Sequence, residues 1–219
     1  MITIKIGTRP SPLAVKQARD VECLLSGIGF EIIKIETKGD RDKTTPLSKI
    51  EGTDFFTGDI EKALLAGGID AAVHSAKDLE GAAGPGLIIA AVTPSISPHD
   101  CLVSRSGRTL DALPAGSVIG TSSRARKEAV SEYRGGLILK DIRGGIDERL
   151  AQLDEGKFDA VIIAHAALIR LGYEDRICEI LPDEIFRPHP LQGKLAVQIK
   201  EERADLLKLF EGIDEKRKG

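Results

Sequence analysis

The chain has no tryptophan, one methionine, two tyrosines and six phenylalanines among 219 residues. A core built from it must therefore be aliphatic, and a hydrophobic fraction of 42% is enough for one large domain or two small ones. Cysteine is equally scarce. Cys23, Cys101 and Cys178 are far apart and odd in number, so neither a metal-ligand spacing nor a disulfide framework follows. Cys23 falls within a predicted helix and reads as a core residue. Charge of one sign is also lacking. A net charge of −3 argues against a nucleic-acid-binding surface. No apolar run reaches the length of a membrane span. The first residues, Met1 to Gly7, alternate like a strand and carry no signal-peptide core or cleavage site. The expectation is a soluble, cytoplasmic protein without nucleic-acid or membrane partners. A P-loop, a Rossmann glycine fingerprint and a Ser-His-Asp order are missing too.

What is present centres on Asp70-Ala-Ala-Val-His-Ser-Ala-Lys-Asp78. A short apolar run delivers a histidine, a serine, a lysine and an aspartate in succession. Strands of α/β sheets end in this way, and ligands bind just beyond their carboxyl ends. Lys77 beside Asp78 offers a cation and a carboxylate, the parts needed for proton transfer and for holding an acidic substrate. An ion pair on a solvated loop is the plain alternative.

The chain also echoes itself. Ile6-Gly-Thr8 precedes Ser11 and a helical pattern, and Ile119-Gly-Thr121 precedes Ser122, Ser123 and another. Leu64-Leu-Ala-Gly-Gly-Ile-Asp-Ala-Ala-Val73 and Leu153-Asp-Glu-Gly-Lys-Phe-Asp-Ala-Val161 both read as helix end, glycine cap and strand. Two α/β lobes follow from this, although all βα units share small residues. Ser11 can cap the first helix, with Pro12 in its first turn and Ala14, Ala18, Val21 and Leu25 on one face. Gly27 and Gly29 should end it. Further strands are expected at 31–36, 87–92, 137–142, 160–164 and 195–199, and a last helix at 201–210. The tail from Asp214 is polar and should fray. The predicted lobes are 1–93 plus 191–219 and 99–186, with hinge segments at 94–98 and 187–190. Two crossings of the chain make the cleft between the lobes the expected site, closing when a ligand binds.

Four predicted strand-to-helix junctions carry hydroxyls and cations. They hold Arg9 and Ser11; Ser75 and Lys77; Thr121 to Ser123 with Arg124 and Arg126; and Arg143-Gly-Gly145 leading to Arg149. Free helix-start amides attract anions, and arginine adds bidentate bonds to carboxylate or phosphate. Together they point to a polyanionic ligand. Arg124, with helical neighbours on every side, reads better as a surface ion-pair partner. Asp40, before the polar run Arg41 to Thr45 read as a mobile loop, either faces the ligand or caps a turn. His74 is either a general base or a packed, hydrogen-bonded residue, and His165 and His189 are weaker candidates.

These residues resemble the porphobilinogen deaminase (hydroxymethylbilane synthase) family. The matching segments are Thr8-Arg-Pro-Ser-Pro-Leu-Ala14, Gly39-Asp40, Asp70 to Asp78, Gly120-Thr-Ser-Ser123, Arg143-Gly144 with Arg149-Leu150, Leu168-Ile-Arg-Leu171 with Asp175-Arg-Ile177, and Gln192-Gly193. They run in family order along essentially the whole chain. The resemblance implies an α/β fold of two periplasmic-binding-protein-like lobes with a double-crossover hinge, and leaves the family's third domain without a counterpart. It implies a transferase of tetrapyrrole (heme and siroheme) biosynthesis that condenses porphobilinogen units and releases ammonia. By carry-over, Asp78 is the catalytic carboxylate. Arg9, Ser11, Lys77, Ser123, Arg126, Arg143, Arg149 and Arg176 hold carboxylates of substrate and cofactor, and Asp40, Lys49, His74, Ser75 and Gln192 are further candidates. The implied cofactor is a dipyrromethane, with no metal. None of the three cysteines matches its attachment residue, so a separate cysteine-bearing domain is a candidate partner and the activity is expected to be altered. Ala125, where the first of two family arginines stands, favours the alternative of a non-catalytic binding module for a small polycarboxylate such as a pyrrole.

Overall fold

The computed structural model describes residues 2–42, 54–79 and 83–217. The chain divides into two compact units, one within Met1–Asp42, Gly52–Ile96 and Gly193–Gly219, the other built on Ser97–Gln192. Each holds a five-stranded mixed sheet.

In the first unit the strands are β1 (Ile2–Thr8), β2 (Ile28–Lys34), β3 (Ala71–Ser75), β4 (Leu87–Val92) and β10 (Leu195–Lys200). Their order is β2-β1-β3-β10-β4. β1 runs parallel to β2 and β3, while β10 runs antiparallel to β3 and β4. The helix α1 (Pro12–Cys23) starts where the sequence places it. The Ser11 hydroxyl oxygen accepts from the Ala14 amide, and Pro12 fills the first turn, where its missing N–H costs nothing. Its buried residues Ala18 and Val21 pack with Ile4, Ile6, Val73 and Val197 and with Leu206 and Phe210 of α7 (Ala204–Phe210). On the other face Ile60 and Leu64 of α3 (Gly58–Leu65) pack with Ile69, Ala72 and Leu87. A sheet covered on both faces needs small or apolar residues at every position, which is why β3 is buried from Ala71 to His74.

The second unit repeats the connectivity. Its strands are β5 (Asp100–Ser104), β6 (Val118–Gly120), β7 (Ile138–Lys140), β8 (Ala160–Ala164) and β9 (Glu179–Ile180), ordered β7-β6-β8-β5-β9. β6 is parallel to β7 and β8, and β5 antiparallel to β8 and β9. The two Ile-Gly-Thr echoes occupy equivalent places: Ile6 pairs with Ala71 and Gly7 with Ala72, as Ile119 pairs with Ala160 and Gly120 with Val161. Both glycines sit where neighbouring side chains approach closely. A Cβ on Gly7 would meet Ile69 Cδ1 at 2.2 Å, and one on Gly120 would meet Phe158 Cδ1 at 2.9 Å. Gly7→Val is therefore expected to destabilise the protein by about 1–3 kcal/mol, read as a lowered urea midpoint at unchanged slope.

Several expectations need correction. Cys23 is exposed rather than in the core. Gly29 lies inside β2, which begins at Ile28, and only Gly27, at φ 76°, makes the turn. α7 starts three residues late, because the Glu201 amide bonds Gly86 O and holds the preceding turn. The tail does not fray at Asp214. Its carboxylate accepts from the Val92 amide at 2.9 Å, and Glu215 pairs with Lys194 at 2.7 Å. Arg41, the first residue of the expected loop, instead ends a short helix, α2 (Lys38–Arg41), and residues 43–45 of that loop lie outside the described residues. Leu191 and Gln192 group with the second unit, held there by His189 and by Gln192 bonds to Pro98 and His99.

Candidate functional site

The parallel strands of each unit end at one edge of its sheet, and the candidate residues gather at those edges. In the first unit β1 leads to Arg9 and Ser11, and β3 leads through Ser75 into a 3-10 turn, Ala76–Asp78. The Thr8 hydroxyl ties the two strand ends by donating toward Val73 O at 3.3 Å. The antiparallel β10 begins at this edge, with Leu195 opposite Ser75. Lys77 is half-buried and Asp78 exposed. Ser11 is engaged as the α1 cap, at 3.2 Å.

Arg9 is committed to Asp40. Its Nε and Nη2 donate to Oδ1 at 3.1 and 2.5 Å, and its guanidinium lies 4.4 Å from the Phe56 ring centroid. Asp40 also accepts from the Thr37 amide and hydroxyl at 3.0 and 2.8 Å. It is thus a turn cap and an ion-pair partner. Burial alone would raise its pKa, but the bonds from Arg9 and Thr37 outweigh that and hold the carboxyl below its ordinary value. A depressed native pKa contributes stability above the unfolded-state value, and that stability is lost as pH falls through the native one. Asp40→Asn is accordingly expected to be less stable than the parent at pH 7. The difference should close as pH falls below about 4, checked by urea unfolding across pH.

His74 is buried, its Nε2 without a hydrogen-bond partner, and burial lowers its pKa to about 4. It faces the α3 side of the sheet with Gln198, whose amide donates to Glu61 at 2.8 Å. A neutral, interior ring suits packing rather than proton transfer at the strand end. His165 Nδ1 lies 3.0 Å from Ser97 Oγ, and His189 Nδ1 accepts from the Leu191 amide, so both serve local structure. Lys49 lies outside the described residues.

In the second unit β6 ends at Thr121, Ser122 and Ser123. Ser122 Oγ donates to Ile142 O at 2.7 Å and accepts from Ile142 N at 3.0 Å, stitching the ends of β6 and β7. Ser123 caps α4 (Arg124–Tyr133). Arg124 is exposed and pairs with Glu128 at 2.7 Å, as its surroundings predict. Thr121 Oγ1 is buried with no hydrogen-bond partner. Arg126 is held by Asp100 at 2.6 and 2.7 Å, and Gln192 donates to the same carboxylate at 2.8 Å. Arg149, on α5 (Ile146–Asp154), donates from Nε to Gly144 O at 2.9 Å. Its pKa is pressed down to about 10, first by burial, then by the positive charges of Arg126 and Arg143, against the opposing Glu148. Arg126 and Arg143 are thus both close enough to Arg149 for their positive charges to act on it. The orphaned Thr121 hydroxyl at the same strand-end edge adds a hydrogen-bonding group. The carboxylates of a dipyrromethane fit this donor set.

Arg176 lies next to the same helix. It pairs with Asp154 at 2.6 Å, the last residue of α5, whereas Arg149 sits in that helix's first half. Asp100 is the residue that sequence reasoning missed. An acid opening a strand directly after Pro98-His99 was the available signal. Among the described residues no helix is long and apolar enough to cross a membrane, and no group of three or more His, Cys, Asp or Glu could hold a metal ion.

Comparison with known proteins places this geometry. Solved structures with the same architecture include a periplasmic substrate-binding protein of an ABC transporter from Coxiella burnetii (TM-score 0.55, 13% identity, covering 96% of this chain and 91% of that one). Another is the VFT2 domain of Bordetella pertussis BvgS (TM-score 0.53, 14% identity, 97% and 85%). At such identities they speak to the two-lobed α/β fold alone. Porphobilinogen deaminase from Brevibacillus brevis is 40% identical over 215 residues, 96% of this chain and 70% of the relative. The Geobacillus kaustophilus protein of the same name is 44% identical over 211 residues, 94% and 68%. The family profile described as "Porphobilinogen deaminase, dipyromethane cofactor binding domain" matches residues 4–208, and this chain belongs to the porphobilinogen deaminase family.

Proposed function

We propose that this protein acts in tetrapyrrole biosynthesis as a deaminating transferase, condensing porphobilinogen units with release of ammonia. The observation that carries the reading is the cluster of Arg126, Arg143 and Arg149, in which burial and then the charges of the other two lower the pKa of Arg149. A substrate with acetate and propionate groups offers carboxylates that such a cluster of guanidiniums can bind.

In the proposed reaction the C–N bond of the protonated aminomethyl group breaks and ammonia leaves with the bonding pair. The positive charge left on the pyrrole needs an anion close by, and Asp78 is assigned that role. A pyrrole carbon then forms the new C–C bond, and its proton is lost. A bound dipyrromethane supplies the pyrrole on which the chain grows. Lys77, Ser123, Arg126, Arg143 and Arg149 are the proposed holders of its carboxylates and those of the substrate. Arg9, paired with Asp40, and Ser11, which accepts from the Ala14 amide, are proposed as further holders at the first-unit edge.

The described cysteines do not suit covalent attachment of that group. Cys23 closes α1, at the sheet edge away from Asp78. Cys101 is buried, and burial together with Asp100 pushes its thiol up to about 12. Cys178 Sγ is engaged with Ser104. The attachment thiol is therefore assigned to a cysteine-bearing domain outside the described residues. Incubation with porphobilinogen tests the reading, following substrate loss and the mass of the intact chain. Turnover is expected. Saturable binding with neither substrate loss nor mass gain would select a binding module instead.

A further inference from the structure

Asp100 opens β5 and is 6% exposed despite its charge. Arg126 takes both its oxygens, Nη2 donating to Oδ1 at 2.6 Å and Nε to Oδ2 at 2.7 Å. Gln192, 4% exposed, donates from Nε2 to Asp100 Oδ1 at 2.8 Å, to Pro98 O at 2.7 Å and to His99 O at 3.1 Å. The chain enters this unit at Ser97 and leaves it after Gln192. One network therefore joins the entering segment, the departing segment and the first turn of α4.

The geometry decides how Arg126 can be used. Two of its three nitrogens are fixed by Asp100, and the third, Nη1, makes only a long 3.4 Å contact to Ile162 O. Arg126 is also near enough to Arg149 to lower that residue's pKa. We propose that Asp100 and Gln192 are positioning residues. They clamp the Nε–Nη2 edge of Arg126 and present its Nη1 corner to a ligand carboxylate beside Arg149. A guanidinium held on one edge is pre-organised for the other, so less freedom is lost on binding. An unclamped Arg126 would have to be ordered at each binding event. The ligand named here rests on the proposed function, whereas the clamp itself does not.

The test has two arms. In nitrogen-15 spectra of the full chain, the Arg126 Nε–H signal, assigned by its loss in Arg126→Lys, is expected to be distinct and slow to exchange with solvent. In Asp100→Asn it should exchange faster by on the order of tenfold. With porphobilinogen, Asp100→Asn is expected to raise KM by about tenfold while kcat stays within about twofold, the pattern of lost uniform binding. If Asp100→Asn does not fold, Gln192→Leu keeps the ion pair and replaces it in both arms, with smaller changes in the same directions. An unchanged Nε–H exchange rate, or a fall in kcat at constant KM, overturns the inference. A wild-type protein that leaves porphobilinogen untouched would defeat the proposed function, and the exchange arm would still decide the clamp.

Discussion

Asp78→Asn is expected to lower porphobilinogen turnover by roughly a hundred- to a thousandfold while leaving the fold intact. Asparagine has nearly the same shape but carries no charge, so it cannot offset the cation formed as ammonia departs. Asp78 is exposed at the end of the 3-10 turn that follows β3. Substitutions at such positions usually change stability by no more than about 0.5 kcal/mol, so lost turnover would not reflect lost structure. Substrate consumption by variant and parent, matched for far-ultraviolet circular dichroism, measures the effect. Equal rates would remove Asp78 from the chemistry.

Arg149→Gln should have the second largest effect, and on binding. A hydrogen bond to a charged group contributes about 1.5–3 kcal/mol, so the dissociation constant for porphobilinogen should rise roughly ten- to a hundredfold. The free protein should lose little, because removing this charge relieves its repulsion by Arg126 and Arg143. The lowered pKa adds a second signature. As pH rises through about 10, the native Arg149 gives up its proton before the unfolded-state arginine does. The unfolded chain then holds more protons, so this residue's contribution makes stability rise with pH there, while affinity for a carboxylate ligand falls. Calorimetric titration and urea unfolding across that range should show the difference: relative to Arg149→Gln, the parent's stability rises with pH and its affinity falls.

Local chemistry was the legible part of the sequence. Ser11 and Pro12 fix the start of α1, and β4 and β8 occupy the residues that their apolar runs mark. The Ile-Gly-Thr echo reports a shared close approach at the glycine, where the next connection packs under the strand, at Ile69 in one unit and Phe158 in the other. Partnerships between distant residues were not legible. Arg9 with Asp40, Arg126 with Asp100 and Arg176 with Asp154 are 31, 26 and 22 residues apart, and a cation's position says nothing of which acid it meets. Cys23 was misread for a different reason. Two residues beyond Val21 on a helix is roughly 200° around it, so the pattern that buries Val21 turns Cys23 outward. The end of the second unit was missed because Pro188 and Pro190 mark a break, whereas the Gln192 amide bonds that set the boundary leave no local signature.

The most direct measurement counts ammonia released against porphobilinogen consumed in the same reaction. One ammonia for each porphobilinogen, with both signals lost in Asp78→Asn, is the expected result. Saturable uptake of porphobilinogen by the folded protein with no ammonia formed would contradict deamination at this site.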